Sequence, residues 1–174
     1  IFFVGVSSLA ANLSSQFSFI SSVSVQKKYF HGLKIVATER QAEGVWCFAG
    51  VSSNTTLDCR YFDHNGVTFG QAIQSTGVLL LNVDDMRTQS ASASLTTIDP
   101  RFLKAIQAVV PVLTSQDIKI KNITIPANTY IEFDILVSDS TLPAGSNAYL
   151  VKFSLDSNIK NQLDVFRIFR VQKM

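Results

Sequence analysis

The first 26 residues, IFFVGVSSLAANLSSQFSFISSVSVQ, carry no ionisable side chain, and the first charges, Lys27 and Lys28, arrive as a pair. An apolar, charge-free run of this length has to be hidden from water by the chain's own core, by a membrane or by other molecules. The chain opens on Ile1 rather than Met, as a processed or shortened chain would. Two conformations compete for the run. As a helix, Leu9, Leu13, Phe17 and Ile20 recur at i+4, i+4 and i+3, and no Gly or Pro interrupts between Gly5 and Gly32. As a strand, Phe17, Phe19, Val23 and Val25 alternate with Ser18, Ser22 and Ser24, but Ile20 and Ser21 break the alternation.

The helix fits the longer window. It is expected to continue through Leu33, Val36 and Ala37 to Glu43, with Gly44 as its C-cap. A helix over 1–43 would be about 60 Å long at about 1.5 Å per residue, more than one small domain needs, so half of it should project and meet partners. Phe2, Phe3, Val6, Leu9, Leu13, Phe17 and Ile20 form its expected assembly stripe. A membrane span needs about 20 apolar residues. The strongly apolar block from Ile1 to Leu13 is shorter than that, although the serines that follow can bond back to helix carbonyls.

At 174 residues the chain suits one domain with a sizeable core. Only 16% of residues are charged and the net charge is +2, which argues against a dedicated nucleic-acid binder with its strong basic patch. Cys47 and Cys59 are the only cysteines. An even pair in a charge-poor chain points to one disulfide and an oxidising compartment, against the alternative of two reduced, buried thiols.

Residues 44–174 read as an antiparallel, β-rich head. RYFDHNGVTFG predicts a hairpin, with strands over 57–63 and 67–73 and a type I′ turn at Asn65-Gly66. GVLLLNVDDM predicts a short strand ending in an acidic turn at Asp84-Asp85. Asp99 is an expected N-cap with Pro100 in the first turn of a second helix, which Pro111 should kink or end. Three alternating strands follow, the first with a change of phase between Ile120 and Ile123 that predicts a bulge. Pro143-Ala-Gly145 is the expected turn between the other two. The closing stretch, LDVFRIFRVQKM, is apolar on both faces and reads as a strand, central or paired with a partner.

No glycine-rich phosphate loop, HExxH, GxSxG or EF-hand pattern is present. Asp63-His64 beside the turn and Asp84-Asp85 after the strand are the only local pairs that invite a catalytic or cation-binding reading. Turn chemistry accounts for both more simply, and the chain is expected to be no enzyme and to need no cofactor. His31 is expected at the surface or half buried. Asn54 heads an Asn-Thr-Thr sequon in a loop and Asn122 an Asn-Ile-Thr sequon in a strand.

An apolar start, a long helix and then a small antiparallel sheet with one disulfide resemble the type IV pilin and type II secretion pseudopilin superfamily. Gly5 stands where that family carries a glutamate. The resemblance implies an α+β fold: a long N-terminal α-helix followed by a small antiparallel β-sheet domain with a second short helix. It implies a non-enzymatic subunit of an extracellular, cell-surface filament. Its partners would be copies of itself or related subunits, and the inner membrane would hold it before assembly. Two other readings stand beside it: an all-β secreted filament or adhesin subunit that uses residues 10–25 as a donor strand, and a viral coat protein.

Overall fold

A computed structural model of the chain describes residues 5–28, 32–49, 57–73, 80–87, 98–129, 131–140 and 147–173, with only the backbone of 172 and 173. It divides into two compact units, Ile1–Ala42 and Glu43–Met174, called here the arm and the head.

The arm overturns the long helix. Helix α1 covers only Val6–Gln16. Phe17 is already extended, at φ −120° and ψ 92°, and the chain turns into strand β1 (Ile20–Lys28), which pairs antiparallel with β2 (Gly32–Glu39). The reason is local. Val23, Val25, Ile35, Val36 and Thr38 are β-branched and lose rotamer freedom in a helix, while serine is an indifferent helix former. The alternation of Ser22 and Ser24 with Val23 and Val25 fits a strand, and its break at Ile20 and Ser21 is a register irregularity in the pairing with β2. Gly44 caps no helix. It opens strand β3 and is buried, and a Cβ there would collide with the Leu81 carbonyl oxygen and stand 2.7 Å from the Phe62 ring.

The head is a seven-stranded mixed sheet of β3 (Gly44–Phe48), β4 (Asp58–Phe62), β5 (Thr68–Gln71), β6 (Leu81–Asp85), β7 (Ile118–Ile125), β8 (Glu132–Asp139) and β9 (Ala148–Ser154). The strands lie side by side in the order β5-β4-β3-β6-β7-β8-β9. It is not wholly antiparallel: β6 runs parallel to both β3 and β7. Parallel neighbours need a crossover, and helix α2 (Pro100–Thr114) lies between β6 and β7 in the chain. Asp99 caps α2 by accepting from Arg101 N at 3.0 Å, with Pro100 at the first position. The helix continues through Pro111 to Thr114. The closing stretch is a helix too, α3 (Ile159–Lys173). Leu163, Phe166 and Arg170 recur at i+3 and i+4 on its inner side, a period that sequence reading passes over because the outer side is apolar as well.

The main core joins the α2 and α3 side of the sheet to the helices: Trp46, Phe62, Val83, Phe102, Ile106, Ile123, Ile135 and Phe166 belong to one buried cluster. Trp46 meets Phe62 edge-on at 5.7 Å. Val45 and Cys47, which alternate with Trp46 and Phe48, belong to a second cluster on the opposite face with Cys59 and Ala72. The expected bulge in β7 is present, between Ile120 and Asn122.

Candidate assembly surface

The described residues of the arm contain little that could hold it together unaided. Val6, Leu9 and Leu13 are half-buried along α1, which lies against β1, and none of the helix's residues is fully buried. Phe17 sits in the turn that follows and Ile20 opens β1, so the expected stripe is split over a helix, a turn and a strand. Phe2 and Phe3 lie outside the described residues, as does His31. The Phe17 and Phe19 rings meet at 5.6 Å, yet Phe17 is 40% and Phe19 48% exposed. The register pairs Val23 with Ala37, Val25 with Ile35 and Lys27 with Leu33, which makes one face of the hairpin mainly apolar. The other pairs Ser22 with Thr38, Ser24 with Val36 and Gln26 with Lys34. Only Val25 is buried among the arm's described residues; Ile35 is 50% exposed. At the hairpin's base, Arg40 donates from its backbone to Phe19 O at 2.7 Å and from its guanidinium to Ser18 O at 3.2 Å and Ile20 O at 3.4 Å.

The residues that invite a chemical reading are placed apart. Asp63 Oδ1 accepts from Asn65 N at 3.0 Å and Val67 N at 2.9 Å, and Asp63 O accepts from Gly66 N at 2.9 Å. Gly66, at φ +77°, is the positive-φ residue of the loop and Asn65 is not. A type I′ turn needs both, so the connection is instead a three-residue loop that a left-handed glycine closes. Asp63 thus organises the turn, while His64 points outward, 3.4 Å from Glu43.

Asp84 and Asp85 are strand residues, not a solvated turn, and they point to opposite faces of the sheet. They cannot share a cation. Asp85 is buried and takes a two-pronged contact from Arg87 at 2.8 and 2.6 Å. Arg87 also reaches Asp99 at 3.4 Å and stacks 4.4 Å from the centre of the Phe102 ring. The Asp85 hydrogen bond raises the guanidinium's pKa further. Burial pushes the Asp99 carboxyl up, but hydrogen bonds and charge from Arg101 and Arg87 bring it below its ordinary value. Asp84 faces the other way and accepts from Asn122 Nδ2 at 2.7 Å, which engages the nitrogen that a glycan on the Asn122 sequon would need. Asn54 and its sequon lie outside the described residues. Asp84 shares a row across the sheet with Cys47, Thr124, Asp134 and Lys152. The two carboxylates of that row are separated by β7, and no group of three metal-ligating side chains occurs among the described residues.

Cys47 and Cys59 form a disulfide across directly opposed residues of β3 and β4. No helix among the described residues is long and apolar enough to cross a membrane, and the expected membrane helix over 1–43 is the short helix and hairpin described above. Residues 10–16 are helical and 20–25 pair within the chain, so the segment 10–25 is not one free donor strand. Comparison with protein-family models and with characterised proteins finds no match.

Proposed function

We propose that the chain is a non-enzymatic structural subunit that assembles with copies of itself through its arm, in an oxidising environment outside the cytosol. The observation that carries this reading is the arm's composition of exposed parts: a short helix without a buried residue and a two-stranded sheet with one buried side chain. A lone two-stranded hairpin is marginal in water, and isolated helices below about 12–15 residues are marginal too. Phe19, Ile35 and Val36 stand about half exposed. Burying a whole side chain of this kind contributes about 1.5–3 kcal/mol, so covering the exposed half of each contributes roughly half of that, which favours a partner surface. The disulfide supports the compartment.

The full chain should form oligomers or fibres in light scattering and electron microscopy. Val25→Asp with Ile35→Asp should reduce it to a monomer whose head melts as in the wild type. A wild-type chain that stays monomeric at high micromolar concentration would reject the reading.

A further inference from the structure

We propose that the arm of one copy docks on the outer edge of β9 in another copy, adding β2 as an eighth strand beside the groove between β9 and α3. This rests on the arm being the assembly element and names the surface that receives it.

The head has two sheet edges, and they differ. Strand β5 is four residues long, contains Gly70 at φ +58° and pairs with β4 through a register irregularity. Short, bulged edges are poor templates for another strand. Strand β9 has seven residues in unbroken register with β8 from Ala148 to Ser154, and its outer side meets no other described strand. It carries no proline and a single lysine, Lys152, so the usual protections of an edge are thin. Beside it lies a groove of about 440 Å³ whose apolar lining includes Val151, Phe153, Phe166 and Phe169. On the outer side of α3, Val165 is 66%, Ile168 62% and Phe169 52% exposed.

The arm supplies the matching half. Strand β2 has eight residues, is almost wholly exposed, and pairs among the described residues only with β1. Leu33, Ile35 and Ala37 give it an apolar face suited to the groove. Charge sets the direction. Exposed Lys28 and Lys34 lie at the hairpin's tip, and exposed Glu132 and Asp156 flank the Ser154 end of β9. Laying β2 antiparallel to β9 brings these together. Main-chain hydrogen bonds then supply affinity and the groove supplies selectivity. Because the two surfaces differ, the contact is head-to-tail, and repeating it builds a closed ring or an open filament.

The test mixes two full-length variants. The receiving-face variant carries Leu150→Lys and Phe169→Asp, both at exposed positions. The arm variant carries Val25→Asp and Ile35→Asp. Each should be monomeric alone. Mixed in equal amounts they should give a species of two chains and nothing longer, because only one intact arm and one intact receiving face remain. A receiving-face variant that assembles like the wild type overturns the docking and leaves the arm's role standing. A mixture without the two-chain species also overturns it, and a monomeric wild type removes both. If the double receiving-face variant is unfolded by circular dichroism, Ile168→Asp alone, on the same outer face, replaces it under the same criteria.

Discussion

Asp139 is fully buried at the end of β8, and Arg170 of α3 reaches it at 2.7 and 3.0 Å. Tyr149 hydroxyl stands 3.4 Å from the same carboxylate. Burial, with the neighbouring negative charge, pushes the Tyr149 phenol above its usual range. The Asp139–Arg170 pair ties the last helix to the sheet. Removing one partner of a buried pair strands the other, at a cost of about 3–5 kcal/mol. Arg170→Met should lower head stability by about that amount in chemical denaturation, and Asp139→Leu added to it should recover most of the loss. A single variant within 1 kcal/mol of the wild type, about the spread of ordinary surface changes, would show the pair to be dispensable. None of this was legible in the sequence, where Arg170 is one of two arginines in an apolar run and Asp139 one of several acids. Pairing across 31 positions is a property of the fold. The roles of Asp84 and Asp85 were hidden differently: adjacent residues in a strand face opposite ways, so an acidic pair in sequence is two unrelated sites in space.

At the level of elements, strands with clean alternation were readable. β7, β8 and β9 lie where alternation placed them, β4 and β5 on either side of the Asn65-Gly66 turn signal, β6 in the apolar run that ends at Asp84-Asp85, and α2 behind its Asp99 cap. The failures are segments where two periods coexist. Residues 17–25 contain both a helical stripe and a Ser-Val alternation, and α3 has a second apolar side that resembles a strand buried on both faces. The Cys47–Cys59 pairing was legible from count alone, but its place was not. It joins directly opposed residues with Cα atoms 3.9 Å apart, across strands already linked by a ladder. The chain-entropy account gives about 3 kcal/mol for a loop of this size. Cys47→Ala with Cys59→Ala should therefore lower the unfolding free energy by about 2–3 kcal/mol, and reductant should do the same to the wild type. Equal urea midpoints with and without reductant would show that the β3–β4 ladder alone holds this edge.

Across the whole molecule, the mixed order of the sheet could not be read from strand positions, because parallel pairing of β3 with β6 skips a hairpin. Alternation says which residues face inward and leaves unspecified which strand lies beside which. What the architecture adds is a contrast in local stability. Strands β3, β6, β7 and β8 each have two neighbours in the sheet and should open only with global unfolding, about 5–15 kcal/mol for an ordinary domain. The arm's hairpin has a single ladder, so its amides should open at a cost near zero in a lone chain. Hydrogen exchange separates the two states. In the monomeric receiving-face variant, amides of 20–28 and 32–39 should exchange almost as fast as in an unfolded chain, while the central strands stay protected. In the assembled wild type, protection should appear together at 32–39 and at 148–154, the two edges that the docking joins. Arm amides equally protected in monomer and assembly would mean that the hairpin is stable unaided, and the need for a partner, on which the assembly role stands, would be gone.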